Sequence, residues 1–242
     1  MVMTDLSFDG DADPGDVATL WGYATSHVIV TARNHALKST DVLRQAVRQG
    51  AHFASGIAIM AELIDIRTRT LRDLSTRMSS DVDDIEDEIL LGDIPAQRQR
   101  LGIVRRRCAR VRRHFVPDRL ALHKLITHRP HWMTDADAHL LTEAEENLTY
   151  VLAEINDLYD RSKLLQEELA SRVAETTGTR LYVLSILSAI LLPMTLVTGI
   201  FGMNIAGLPG VDGEPSAFVW TMLAVIAAGA FTLLFLRWRR LL

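Results

Sequence analysis

Cysteine is nearly absent from this chain: Cys108 is the one thiol in 242 residues. An intrachain disulfide framework and a Cys-cluster metal site are thereby excluded. Aromatic side chains make up 6%, and the formal net charge of −4 leaves no dominant role in binding nucleic acid. No phosphate-cradling loop, nucleophile elbow or pair of carboxylates in a plausible cleft occurs, which argues against an enzyme and against an ATP-driven pump. The histidines supply no metal site. His128 and His131 are three apart, but Pro130 between them breaks helical geometry, and His27, His35, His52, His114, His123 and His139 are scattered. An apolar leader is also missing, since the first ~20 residues are acidic.

Charge is absent where it matters most. Residues 181–201 and 217–236 contain no ionisable side chain of either sign apart from Tyr182. Each run is about 20 residues, roughly 30 Å as helix, the hydrocarbon thickness of a bilayer. The loop between them, residues 202–216, lacks Lys and Arg but carries Asp212 and Glu214. Arg172 and Arg180 precede the pair, and Arg237, Arg239 and Arg240 follow it. The positive-inside rule then places both termini in the cytoplasm and the acidic loop outside, with Trp220 and Trp238 at interfacial positions. Membrane lipid is the implied surrounding of a two-span hairpin, and the first span directs its own insertion.

Upstream, residues 1–16 hold five Asp with Gly and Pro, and the stretch 1–18 reads as a disordered lead. The β-branched run Val28-Ile29-Val30-Thr31 predicts one or two strands within 19–33. Ser39 or Thr40 is placed to cap a helix that stops at Gly50. A long helical pattern runs from about Ser55 to Leu91 and ends at Gly92. Residues 96–115 form another helix, and Pro117 and Pro130 bracket a shorter one. The acidic run Asp81, Asp83, Asp84, Glu86, Asp87, Glu88 faces a basic run, Arg105-Arg106-Arg107 with Arg110, Arg112 and Arg113. Two helices of opposite sign joined at Gly92-Asp93-Ile94-Pro95 pack as a hairpin and neutralise each other, so the basic run is not read as a nucleic-acid patch.

Between Thr134 and Pro193 no proline interrupts the chain. Leu141, Ala144, Leu148, Val151, Ile155, Leu158, Leu165 and Leu169 recur at spacings of three and four, with Ser162 in the slot between Leu158 and Leu165. This is a coiled-coil-like seam with a solvated, Glu-rich opposite face. No turn signal separates it from the first span. One helix from about Thr134 to Met203 is predicted, on the order of 100 Å at 1.5 Å per residue.

The stretch from Arg180 to Pro209, RLYVLSILSAILLPMTLVTGIFGMNIAGLP, resembles the first transmembrane helix and signature loop of the CorA superfamily of divalent-cation transporters. Tyr182, the Leu-Pro-Met-Thr run ending at Thr195, Gly199 and the triplet Gly202-Met203-Asn204 carry the likeness. Ala206-Gly207-Leu208-Pro209 is closer to the ZntB-like zinc branch than to the Met-Pro-Glu loop of the magnesium branch. The resemblance implies a mainly α fold: a stalk helix (134–180) continuing into transmembrane helix 1 (181–202), an extracytoplasmic loop (203–216), transmembrane helix 2 (217–236) and a basic cytoplasmic tail (237–242). A cytoplasmic helical hairpin (81–133) flanks the stalk, and 19–80 corresponds to a truncated remnant of the family's larger N-terminal α/β domain.

The same resemblance implies a homopentamer in the inner membrane that passes Zn²⁺ or Mg²⁺, with Co²⁺ and Ni²⁺ as further candidates, and no resident cofactor. Continuing the three-and-four rhythm into the membrane selects Leu181, Leu184, Ser188, Leu192 and Thr195, the set that the family's pore helix also gives. Leucine rings form an apolar constriction, and Ser188 and Thr195 supply hydroxyl rings. Asn204 offers a neutral oxygen to the outer waters of a divalent ion, which suits Mg²⁺, an ion reluctant to dehydrate. Asp212 and Glu214 raise the local cation concentration. A doubly charged cation moving inward gains about 4.6 kcal/mol per 100 mV. The competing reading is a non-conducting coiled-coil scaffold anchored in the membrane, or a degenerate short form.

Overall fold

The structure, a computed structural model, describes residues 2–6, 17–26, 28–33, 35–91, 94–202 and 216–239. Three strands, β1 (Val2–Leu6), β2 (Val17–Ala24) and β3 (Ile29–Arg33), are followed by five helices. These are α1 (Lys38–Arg48), α2 (Gly56–Leu91), α3 (Ile94–Thr127), α4 (Asp135–Phe201) and α5 (Ser216–Trp238). The chain divides into two units, Met1–Ala170 and Ser171–Leu242, and α4 contributes to both.

The strands form an antiparallel meander in the order β1-β2-β3, with Met3 opposite Leu20 and Leu20 opposite Arg33. Met3, Ala18 and Leu20 are buried, in one cluster with Leu37, Leu43, Ile57, Met60 and Leu63. The disordered lead assigned to residues 1–18 needs correction here. Val2–Leu6 is a strand, because pairing with β2 satisfies its backbone and buries Met3, a gain that composition alone does not reveal. Residues 7–16 lie outside the described residues. The sheet thus starts before residue 19, and α2 runs unbroken through the boundary drawn at 80/81.

Two further expectations change. Neither Ser39 nor Thr40 is the N-cap of α1. Leu37 holds that position in an extended conformation without a side-chain cap, fixed by its complete burial. The stop is as expected, with Gly50 at φ +95° just past the helix. The two helices expected around Pro117 are a single helix, α3. Pro117 and Arg113 both lie on its exposed or half-exposed side, where water can take the carbonyl that proline leaves without a donor.

Within the first unit, α2, α3 and the first half of α4 share a core that includes Leu71, Met78, Ile85, Leu101, Cys108, Phe115, Val151 and Ile155. Ser162 is fully buried in the seam, as its slot predicts. Burial pushes the Cys108 thiol up to about 11, so it packs as a small apolar residue. The contacts define direction. Asp65 pairs with Asn147 (3.3 Å), Asp83 with Arg161 (2.6 Å) and the Arg98 carbonyl with Gln166 (3.3 Å). Hence α2 runs parallel to α4, and α3 runs antiparallel to both.

The starts of α2 and α4 are fixed by polar side chains. Ser55 Oγ accepts the Ala58 N–H at 3.0 Å, and Thr134 exchanges backbone N–H bonds with Asp137 (3.1 Å each way) in a capping box. Ser55 also donates to Asp137, which ties the start of α2 to that of α4.

Among the described residues, the mutual neutralisation expected of the α2–α3 hairpin is seen at its tip. Glu88 accepts from Arg100 (2.6 Å) and Gln97 (2.9 Å), and these two donors, Arg100 first, hold its carboxyl below the usual range. Asp83 and Glu86 instead both accept from Arg161 on α4, which raises the pKa of that guanidinium further. Within the expected basic run, Arg112 lies over the Tyr159 ring at 5.2 Å, and Arg105 and Arg106 line a groove beside α4. The reason is rotational: these arginines sit on the α4 side of α3, away from α2.

Candidate functional site

The second unit holds the second half of α4 and all of α5. Both carry windows long and apolar enough to cross a membrane. The windows are exposed rather than buried in the chain, which separates them from the core helix of a soluble protein. Backbone donors and acceptors in such helices are satisfied internally, the condition for standing in lipid. Pro193 inside α4 is tolerated for the same reason that transmembrane helices tolerate prolines generally.

One face of this part of α4 is partly covered: Ile186, Ala189, Ile190, Pro193, Met194 and Val197. Met194 reaches Gly229 of α5, so closely that a Cβ on Gly229 would overlap the methionine methyl. Around that notch α5 offers small side chains, Ala224, Ala228 and Thr232, each partly covered. Small residues that let two helices approach are the usual solution where lipid provides no hydrophobic drive between them. Sequence reasoning overlooked this contact, although Ala224, Ala228 and Thr232 at spacings of four were the signal for it.

Leu181, Leu184 and Leu192 are 57%, 58% and 74% exposed, and Ser188 and Thr195 are exposed with them. At about 100° per residue these five share one side of the helix, roughly opposite the side that Met194 uses. The structure therefore brings the five together on one face. The rhythm that led to them is corrected, however. Continued in step from Leu169, the buried seam arrives at Ile186, Ile190, Pro193 and Val197, the partly covered face. The five predicted residues follow the exposed side of α4 instead.

The Thr195 hydroxyl donates to the Leu191 carbonyl at 2.8 Å, and Thr198 donates to the Thr195 carbonyl at 3.0 Å. With its proton committed inside the helix, the Thr195 oxygen presents lone pairs outward. Water around a cation points its hydrogens away from the ion, so an outward acceptor suits a hydrated cation. Gly202 closes the helix by donating its N–H to the Thr198 carbonyl at 2.9 Å. Met203, Asn204, Asp212 and Glu214 lie outside the described residues. At the other end of α5, Trp238 is 79% exposed, and the Arg239 guanidinium stands 5.8 Å from the ring centres of both Phe235 and Trp238. That combination of aromatic rings and a cation suits a membrane–water boundary. Among the described residues no group of three or more His, Cys, Asp or Glu is placed to hold a metal ion.

Comparison with known proteins adds to this geometry. The chain is 28% identical over 230 residues to the zinc transport protein ZntB of Yersinia enterocolitica, covering 95% of this chain and 70% of that one. It is 28% identical over 228 residues to the divalent cation transporter CmaX of Pseudomonas aeruginosa, covering 93% and 68%. Among solved structures, full-length CmaX superposes with a TM-score of 0.79 at 24% identity, over 99% of this chain and 73% of that one. The CorA magnesium transporter of Methanocaldococcus jannaschii does so at 0.71 and 14%, over 97% and 78%. Both structures speak to the fold: a long helix followed by a C-terminal apolar helix, with a few short strands at the N-terminal end. The model of the CorA-like Mg²⁺ transporter proteins, a family of transporters and not of enzymes, matches residues 2–239, and the chain belongs to that family.

Proposed function

We propose that this chain assembles as a homopentamer and passes a divalent cation across the inner membrane through a pore lined by Leu181, Leu184, Ser188, Leu192 and Thr195. The observation that carries the reading is the division of labour around α4. One side meets α5 at Gly229, and the other leaves three leucines and two hydroxyl side chains exposed among the described residues. A two-helix hairpin cannot enclose water, so that side needs further copies to become a pore. Leucine rings then exclude water when closed, and the hydroxyls meet the hydrated ion. Gly202-Met203-Asn204 stands at the outer mouth, Asp212 and Glu214 gather cations there, and both termini face the cytoplasm.

Zinc is the favoured ion, on Ala206-Gly207-Leu208-Pro209 and on the likeness to the ZntB zinc transport proteins. Fixed zinc sites use nitrogen and sulfur ligands, and the proposed lining contains neither. Passage of a largely hydrated ion follows, with broad permeation of Zn²⁺, Mg²⁺, Co²⁺ and Ni²⁺. The test is metal uptake into proteoliposomes with these ions in competition, alongside the oligomeric mass in detergent. Asn204→Ala should abolish or severely reduce flux while the pentamer stays intact. Wild-type flux from that variant removes the outer-mouth role, and dimers without flux favour a scaffold. Zinc uptake indifferent to excess magnesium, cobalt or nickel contradicts the hydrated-ion passage.

A further inference from the structure

Part of the basic run of α3 lies beside α4 rather than against α2. Arg98, Arg105 and Arg106 of α3 and Lys163 of α4 line a groove of about 440 Å³ between these helices, with Glu167 the one carboxylate among the lining residues. Arg98, Arg106 and Lys163 are exposed. On α2, Asp84 and Asp87 are exposed in the same two turns that hold Asp83 and Glu86. The two charged surfaces cannot meet within one chain. The side of α2 towards α4 is marked by the Arg161 pairs, and its side towards α3 by the Glu88–Arg100 pair. Asp84 and Asp87 thus point out of the three-helix bundle, while the groove opens on the far side, between the other two helices.

We infer that the acidic ridge of α2, around Asp84 and Asp87, docks into the α3–α4 groove of a second copy of this chain. The favoured occupant follows from charge and length. The groove offers three arginines over about two turns of α3, with Lys163 of α4 beside them 3.8 Å from Glu167, and the ridge offers carboxylates over a similar length of another copy. Complementary surfaces on opposite sides of one protomer make a head-to-tail contact, the kind that builds a ring when the rotation between copies closes. Opposed charges of this kind set partner and register more than raw affinity, and the contact weakens with salt. The inference builds on the oligomeric pore proposed above, but neither the ion nor its flux enters it.

The test uses the full chain in detergent, as two variants of different tag size, one carrying Asp84→Cys and the other Arg106→Cys. Cys108 is buried and out of reach of a short bismaleimide linker. The linker should join the two variants when they are co-expressed and should join neither to itself, because a head-to-tail contact never sets the ridge against its own kind. Arg98→Glu on the basic partner should cut the cross-linked yield several-fold, and Asp87→Lys on the acidic partner should restore it. Self-linkage of the Asp84→Cys variant, or no linkage while the oligomeric mass persists, overturns the contact and leaves the pore standing. A monomeric mass overturns the oligomer itself. Capture of anionic vesicles or RNA that Arg98→Glu abolishes, without linkage between copies, assigns the groove to those partners instead.

Discussion

Met194 and Gly229 form one interlocked pair: the methionine methyl fills the space where any other residue at 229 would carry its Cβ. The colliding atom is the end of a flexible side chain, so Gly229→Ala should be tolerated after a small shift of Met194. Gly229→Leu has no such escape, and overpacking of this kind costs about 1–3 kcal/mol. The melting temperature of the detergent-solubilised protein should fall accordingly, and Met194→Ala should recover much of the loss. An equal loss from Gly229→Leu with and without Met194→Ala would mean that the two helices do not meet there.

On the exposed face, Leu184 and Leu192 are 58% and 74% exposed, so packing among the described residues covers little of either side chain. Replacing either by Ser should therefore leave the melting temperature nearly unchanged while raising basal cation leak into proteoliposomes. In an assembly of five, each substitution exchanges five isobutyl groups for hydroxyls at one level, and a constriction that gates by dewetting should then stay wet. Unchanged leak with a lowered melting temperature would identify the leucines as contacts between neighbouring helices.

How much of this was legible in the sequence differs from element to element. The seam from Leu141 to Leu169, including Ser162, was readable because one side of α4 meets α2 and α3 throughout the first unit. The hairpin spans were readable from the absence of charge alone. β1 escaped because its value comes from the partner strand and from the burial of Met3, neither of which its five residues announce. The unity of α3 escaped because a proline's effect depends on which side of the helix it occupies. The five residues of the candidate lining share one exposed face of α4, but the rhythm used to reach them leads to the other side. Three-and-four spacing marks a face without saying what covers it.

Arg67 and Asp118 bridge α2 and α3 inside the core, 2.6 Å apart and 3% and 8% exposed, and the Arg67 guanidinium also lies 5.3 Å from the centre of the Phe115 ring. Breaking such a pair leaves one charge without its partner in a low dielectric. Arg67→Met or Asp118→Leu alone should each cost about 3–5 kcal/mol, whereas the double substitution should lie much closer to wild type. A double-mutant cycle on thermal or urea unfolding reads the coupling directly. Additive losses would show that the pair does no more than fill space.

Asp137 gives the cleanest pH-dependent prediction. Burial works to raise its pKa, but hydrogen bonds from Ser55, the Thr134 hydroxyl and the Thr134 N–H together outweigh burial, so the carboxyl titrates below its ordinary value of 3.8. A carboxyl depressed in the folded state stabilises it fully above that ordinary value and stops doing so as pH falls through the depressed one. Asn at this position keeps one carbonyl acceptor but loses the charge that meets three donors. The melting temperature of wild type should therefore exceed that of Asp137→Asn at neutral pH, with the gap narrowing only below about pH 3.8 as Asp137 takes up its proton. Using the difference between the two proteins removes the other carboxylates, Glu88 among them, which titrate in both. A gap that stays constant down to pH 2, or one that already closes near neutrality, would show that the tie between the starts of α2 and α4 does not depend on the charge of Asp137.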